Sequence, residues 1–330
     1  MILVTGGAGY IGSHLVLSLL EKGEAVVVFD SLEVGHEETI ETLKKIGNLK
    51  FVKGNLKNLE ELRRLFMLNK IDTVVHFAAY SQVAESVSNP QKYYYNNVYG
   101  TLNLLNAMLE FGVKKIVFSS TAATYGEPVY TPIDESHPQK PINPYGNSKL
   151  MIETILDDYD KAYGLKSVRL RYFNVAGADS FARIGEWHDP ETHLIPNVLK
   201  ADKNKVFKMF GNDYNTQDGT CIRDYINVED LAQAHIKAIE YLNNGGETNY
   251  FNLGTNGGTS VKEVFECCEK VKGQAIPVEV CPRRQGDPAV LVANNTKAKD
   301  ILNWSPQKTL FDSINTAYKW EEVLIKKDIS

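Results

Sequence analysis

Two groups of residues in this sequence have the types and spacing to do chemistry. The first is Tyr145 and Lys149, in the run Asn143-Pro144-Tyr145-Gly146-Asn147-Ser148-Lys149. On a helix, side chains four apart lie on one face, one turn from each other. A phenol with its usual pKa near 10 is a poor base. A lysine charge about 6 Å away, at an effective dielectric of about 20, favours the phenolate by roughly 3 kcal/mol, or about 2 pKa units. That is the tuning a proton shuttle needs. Taken alone, the pair reads equally well as an amphipathic helix with an exposed lysine. Upstream lies a hydroxyl-rich run, Ser119-Ser120-Thr121, followed by Ala122-Ala123-Thr124-Tyr125-Gly126. Such hydroxyls can act on a substrate, and they can equally serve as turn and cap residues.

The second group is Thr5-Gly6-Gly7-Ala8-Gly9-Tyr10-Ile11-Gly12, directly after an apolar run. Glycines at this spacing allow a tight turn and let the backbone approach a pyrophosphate. The helix that follows aims free N–H groups at those phosphates. A glycine-rich turn without a ligand is the alternative, and the strand-before, helix-after context argues against it. Asp30 ends the next apolar run, roughly 20 residues past the glycines, where an acid receives the ribose hydroxyls and repels a 2′-phosphate. The pattern therefore points to NAD rather than NADP.

The elements that must position these groups alternate. Strands are expected at 2–5, 25–29, 51–52, 73–77, 115–119 and 168–171, and helices at 15–22, 59–68, 98–111 and 149–163. Continuous apolar strands between helices predict a doubly wound α/β fold with a parallel sheet covered on both faces. In such a sheet, ligands bind beyond the carboxyl ends of the strands. After about residue 175 the pattern is irregular. Helices are expected at 228–243, 261–272 and 310–325, with strands at 250–253 and 278–281, forming a smaller mixed α/β cap.

The chain has 330 residues, 43% apolar and 23% charged, and a net charge of -5 with no long run of one sign. This excludes default disorder and an electrostatic nucleic-acid binder. No apolar run reaches membrane-spanning length. The four cysteines, Cys221, Cys267, Cys268 and Cys281, form neither a zinc set nor a disulfide framework. Reduced thiols and a first strand at Met1 lead to the expectation of a cytoplasmic protein without a signal peptide. The sequons at Asn294 and Asn303 are then chance matches. His188 and His193 flank Asp189-Pro190-Glu191, but the spacing is not H-E-x-x-H and the proline argues against a helix. They are expected to be surface loop histidines, with no metal.

Stretches spread along nearly the whole chain carry a resemblance: VTGGAGYIGSH, HFAAYSQVAESV, YYYNNVYGTLNLL, FSSTAATYGE, NPYGNSK, RLRYFNVAGA, MFGNDYNTQDGT, RDYINVEDLA, FNLGTNGGTSV and RRQGDPAVLVAN. The sequence resembles the extended short-chain dehydrogenase/reductase family, in its sugar-nucleotide 4-epimerase branch. The resemblance implies interconversion of UDP-galactose and UDP-glucose, by oxidation at C4 and return of the hydride from tightly held NADH. It implies Tyr145 as acid/base on the 4-hydroxyl, Lys149 as its partner and a ribose ligand, and Thr121 as a helper in proton transfer. It places the cofactor against Gly6, Gly9, Tyr10, Ile11 and Gly12, then Asp30, Ser31, Asn55 and Leu56. Phe77, Ala78, Ala79, Asn96, Ser119 and Tyr172, with Tyr145 and Lys149, complete that site. The UDP-sugar falls to Thr121, Tyr145, Phe173, Asn174, His193 and Leu194, then Phe210, Arg223, Tyr225, Arg284 and Asp287. The arginines make independent sense, because a diphosphate needs charge-assisted donors.

The element pattern divides the chain at about residue 175, with a return to the first domain at 224–255; with the resemblance, 1–175 and 224–255 are expected to be an NAD-binding Rossmann domain, and 176–223 and 256–330 a UDP-sugar-binding domain. The resemblance implies a homodimer through helices at 98–111 and 151–163. Leu291 stands at the gate for the sugar 2-substituent, and its medium size leaves UDP-N-acetyl sugars open. A related 4,6-dehydratase needs an acid and a base directly after the catalytic threonine, where this chain has Ala122 and Ala123. A silent NAD sensor could dispense with Tyr145 or Lys149, and both are present. An epimerase for another nucleotide sugar stays open, because fold does not fix substrate.

Overall fold

The structure is a computed structural model that describes residues 1–284 and 287–328. Gln285 and Gly286, inside RRQGDPAVLVAN, and Ile329 and Ser330 at the end of the expected cap lie outside the described residues. Seven strands form one sheet: β1 (Ile2–Thr5), β2 (Val26–Asp30), β3 (Leu49–Lys53), β4 (Thr73–His76), β5 (Lys115–Thr121), β6 (Lys166–Tyr172) and the late strand Asn249–Leu253. Their spatial order is Asn249–Leu253, β6, β5, β4, β1, β2, β3, and every pairing is parallel. β1 and β2 are buried at every position, which is why they read as unbroken apolar runs. β3 is an edge strand, partly exposed, and carries Lys50 and Lys53 that blunt its open side.

Alternate residues of each strand feed two cores. Val4, Val26, Val28, Leu170 and Phe251 face the helices Tyr10–Glu21 and Val228–Asn243. Leu3, Val27, Phe29, Ile116 and Phe118 face the helices Leu59–Leu68, Gly100–Glu110 and Pro144–Tyr163. The segment beyond residue 223 thus returns to the main sheet: Phe251 and Leu253 are fully buried, and removing a phenyl ring there costs about 3–5 kcal/mol. A third core, including Ile195, Val198, Phe207, Val264, Phe265 and Ile314, holds the cap elements together.

Three helices begin or bend differently from expectation. The first starts at Tyr10 rather than 15, because the sheet packs Gly12, Ser13 and His14 as helix despite their low propensity. The helix carrying Tyr145 starts at Pro144, not 149. The expected helix at 98–111 is a π-helical turn, Tyr94–Tyr99, running into Gly100–Glu110.

Candidate active site

β1 and β4 are neighbours in the sheet. The chain leaves β1 into the helix Tyr10–Glu21 on one face, and after β4 Leu104 and Met108 pack on the other. A crevice opens at that divergence. Here it is a cavity of about 320 Å³ beyond the carboxyl ends of β1, β2, β4, β5 and β6.

The glycines of the first loop differ in why they are glycine. Gly6 has φ +73°, and a Cβ on it would stand 2.6 Å from Ala78 N. A Cβ on Gly12 would stand 2.3 Å from Gly6 O. These two are required by the fold. A Cβ on Gly9 would meet only Gly6 O, at an ordinary 3.5 Å. The fold tolerates a side chain there; the open space beside it is what a pyrophosphate would fill. Gly9 caps a helix whose first turn has no acidic residue and no side-chain cap, so its leading N–H groups remain free for an anion. Asp30 accepts from Ala8 N and Leu32 N, both at 2.9 Å, which fixes its carboxylate at the cavity wall. Burial raises its pKa above the usual carboxylate value. These residues fit a dinucleotide.

The cofactor residues expected from the sequence all line this cavity: Gly6, Gly9, Tyr10, Ile11, Gly12, Asp30, Ser31, Asn55, Leu56, Phe77, Ala78, Ala79, Asn96, Ser119, Tyr145, Lys149 and Tyr172. Asn96 sits in the π-helical turn; its neighbour Asn97 is buried and braces Tyr80 N, Tyr80 O and Ser148 Oγ at 2.9–3.1 Å. Single π turns of this kind occur often at functional sites. Asn55 already uses its amide, donating to Glu33 at 2.9 Å and accepting from Lys57 N at 3.0 Å. Glu33, Tyr80, Glu186 and His188 also line the cavity, and sequence reasoning missed them. They come from loops, where no periodicity marks a residue's direction.

Lys149 is buried and donates to Ser119 O at 2.8 Å. Its Nζ lies 6.0 Å from the Tyr145 ring centroid and 4.8 Å from that of Phe118. Burial lowers its pKa to about 7, against a smaller opposing effect of Glu153. Tyr145 also departs from expectation. Burial pushes its phenol up to about 12, and the hydrogen bond from Thr121 offsets only part of this. Desolvation is the largest influence on both groups, raising the phenol and lowering the lysine, so the tuning expected from the lysine charge does not prevail. Thr121 accepts from Ala123 N at 3.1 Å, and Ser119 Oγ meets the Tyr172 hydroxyl.

Of the residues expected to meet the sugar nucleotide, Thr121, Tyr145, Phe173, Asn174 and His193 line the same cavity. Leu194, Phe210, Arg223, Tyr225, Arg284 and Asp287 do not. They stand on cap elements, Tyr225 excepted, which opens the return segment, in two close pairs and a packed remainder. Arg223 is paired with Asp287 and donates to Ile222 O at 2.7 Å. The Arg284 guanidinium lies 4.1 Å from the centre of the Phe210 ring. Leu194 and Tyr225 pack against the cap core. Leu291 packs with Phe173 beside Ala122, Tyr125 and Ile133. Of the two loop histidines, His193 is half exposed as expected, whereas His188 departs from expectation: it is mostly buried, drawn in beside Glu186 and Tyr10. The four cysteines are free thiols. Among the described residues no helix is long and apolar enough to cross a membrane.

Comparison with known proteins places this geometry in a family. The model of the family described as GDP-mannose 4,6 dehydratase matches residues 3–316. A UDP-glucose 4-epimerase of Halalkalibacterium halodurans is 53% identical over 97% of this chain and 95% of its own. The crystal structure of UDP-glucose 4-epimerase from Brucella ovis in complex with NAD is 44% identical, with a TM-score of 0.92 over 96% of this chain and 97% of that one. That of the Stenotrophomonas maltophila enzyme, with bound NAD and formylated UDP-arabinopyranose, is 36% identical, with a TM-score of 0.96 over 99% of both chains.

Proposed function

We propose a division of labour among named residues from one premise: the chain belongs to the UDP-glucose 4-epimerases of the extended short-chain dehydrogenase/reductase family. It is an NAD-dependent enzyme that interconverts UDP-galactose and UDP-glucose. The observation that supports the roles most directly is that Tyr145, Thr121 and Lys149 share one cavity with Gly9 and Asp30.

Gly6, Gly9, Tyr10, Ile11 and Gly12 hold the cofactor's pyrophosphate, Asp30 and Ser31 its adenosine ribose, and Asn55 and Leu56 its adenine. Phe77, Ala78, Ala79, Asn96, Ser119 and Tyr172 line the remainder, and Lys149 holds the second ribose. When bound, NAD would supply the hydride acceptor for C4 and end the cycle oxidised, so no cofactor would be consumed. Tyr145 takes the proton of the 4-hydroxyl and later gives it back. Thr121 hydrogen-bonds the phenol and lowers its pKa, which eases the first of these transfers. Phe173, Asn174, His193 and Leu194 face the sugar and diphosphate. Phe210, Tyr225, Arg223, Arg284 and Asp287 face the nucleotide end, where the two guanidinium groups meet the diphosphate as charge-assisted donors.

Dehydration at C5 and C6 needs an acid and a base next to Thr121, and Ala122 and Ala123 supply neither. We assign NAD binding to residues 1–175 with 224–255, and the sugar nucleotide to 176–223 with 256–330. A homodimer in the cytoplasm completes the proposal. It is supported by exposed Tyr95, Tyr99, Met151 and Tyr163 on neighbouring helical segments. The test is to supply UDP-galactose to the purified protein without added cofactor. UDP-glucose is the expected product; a stable 4-keto-6-deoxy sugar nucleotide overturns the reading.

A further inference from the structure

The stretch 186–193 reads E-x-H-x-x-E-x-H, through Glu186, His188, Glu191 and His193. It has no helix or strand until Leu194 opens the helix Leu194–Leu199. The backbone curls so that one donor atom from each of the four side chains lies within 4.8 Å of all the others. His193 Nδ1 is 2.6 Å from Glu186 Oε1 and 3.4 Å from Glu191 Oε1. His188 Nδ1 is 3.3 Å from Glu186 Oε1 and 3.9 Å from Glu191 Oε2. Four donors at about 2.1 Å from one centre in a tetrahedron stand roughly 3.4 Å apart; the 3.3, 3.4 and 3.9 Å separations are near this, while His193 Nδ1 and Glu186 Oε1, at 2.6 Å, would have to part for an ion to enter.

A second observation is independent of spacing. Glu186 Oε1, His188 Nδ1 and Glu191 Oε2 are buried atoms with no hydrogen-bond partner. The side chains of Glu186 and Glu191 are only 7% and 5% exposed. Glu186 Oε1 lies in ion-pair range of both histidine Nδ1 atoms, and Glu191 anchors its other oxygen by accepting from Thr192 N and His193 N, both at 2.8 Å. The two carboxylates carry a charge of -2, which is costly to bury unless cations compensate it; although burial opposes it, Glu186 and Glu191 raise the His193 pKa to about 10, so that imidazolium already offsets part of the charge. A divalent ion cancels it and satisfies every unpartnered atom.

We propose that Glu186, His188, Glu191 and the Nδ1 of His193, whose Nε2 stays available to the sugar nucleotide, form a structural zinc site in the wall of the cofactor cavity. Two imidazole nitrogens disfavour magnesium and calcium, and two carboxylates disfavour monovalent copper; the set suits zinc. Four protein donors close the coordination shell, so the ion fixes structure rather than activating water. The loop it fixes joins the two halves of the molecule. Trp187, between the first two ligands, stacks on His36 with centroids 3.8 Å apart, and its carbonyl lies 3.0 Å from His36 Nε2. The His188 ring meets Tyr10 edge-on at 6.3 Å. The ion thereby fastens the entry to the helix Leu194–Leu199 against the glycine loop.

The test uses the full-length protein purified without chelator. Elemental analysis should find about one zinc per chain. After stripping, cobalt(II) should bind with the strong visible absorption of a tetrahedral site, and His188→Ala and Glu191→Gln should each weaken it by about 100-fold or more. Chelation should lower the melting temperature of the wild type and speed its loss of NAD. If a variant fails to fold, the wild-type cobalt titration decides. No tetrahedral spectrum from stripped wild type at stoichiometric cobalt, or a His188→Ala protein that titrates like wild type, overturns the proposal. The four side chains are then a proton-held ion pair.

Discussion

At the scale of single residues, the glycines of the first loop separate what the fold demands from what the ligand demands. Gly12→Ala drives a methyl to 2.3 Å from Gly6 O, so it should lose both thermal stability and cofactor. Gly9→Ala meets only Gly6 O at 3.5 Å, so its melting temperature should stay near wild type while retained NAD falls by about tenfold or more. Melting curves and the bound nucleotide after gel filtration read the two effects apart; full retention in Gly9→Ala removes the pyrophosphate reading. Tyr145→Phe keeps the ring and removes the proton carrier. Turnover should fall by about 10²–10⁴-fold with NAD still bound. Lys149 gives a pH signature. Its folded pKa, about 7 through burial, lies below its unfolded value of about 10.4. Between these values the unfolded chain holds a proton that the folded chain lacks, so this group's penalty is full below pH 7 and is relieved as pH rises toward about 10. In cofactor-stripped protein, Lys149→Met should therefore be more stable than wild type near pH 6, with the gap closing by about pH 10. Denaturant midpoints across that range check it, and a gap that does not narrow contradicts it.

At the scale of elements, the helix Pro144–Tyr163 carries both Tyr145 and Lys149, and its anchoring decides their aim. Asn143 caps it by accepting from Gly146 N at 2.8 Å, and Pro144 fills the first helical position. One turn past Lys149, Glu153 accepts from Arg171 Nε of β6 at 3.0 Å and from Ser120 of β5. Both members of this pair have side chains 3% exposed. Glu153→Gln leaves a buried guanidinium without its counter-charge and should cost about 3–5 kcal/mol, read by urea denaturation; a loss below about 1 kcal/mol contradicts the clamp. The same helix shows what the sequence makes legible. Its later turns have an apolar stripe and were readable, whereas Pro-Tyr-Gly-Asn-Ser has low helix propensity and hides the first turn. Only the Asn-Pro pair signalled the true start. Leu59–Leu68, Val228–Asn243 and Val261–Lys272 were legible to the residue because each has both a stripe and caps. Glu37–Lys44 buries only Ile40 and Leu43, too little to read as a stripe. Glu33, Tyr80, Glu186 and His188 reach the cavity through tertiary folding of loops, which leaves no period in the sequence.

At the scale of the whole molecule, one face is poorly suited to water. The π-helical turn Tyr94–Tyr99 packs against the helix Pro144–Tyr163. Tyr95 and Tyr99 stack on each other, with ring centres 5.0 Å apart, while exposed. Met151 and Tyr163 are exposed on the neighbouring helix, and Tyr159 bridges to Asn106 at 3.1 Å. Aromatic and methionine side chains clustered on paired helices are the composition of an interface core, not of a free surface. A two-fold interface uses the same patch on both copies, so every substitution counts twice. Covering about 800 Å² per partner needs both helical segments, not one residue, so the face must act as a unit. In the proposed dimer, Met151→Glu would bring two like charges onto the shared face and should leave single chains of 37.0 kDa, still folded because Met151 takes no part in either sheet core. Sedimentation at micromolar concentration measures this directly. A wild type that already sediments as one chain ends the dimer proposal, and the exposed tyrosines then call for a different occupant.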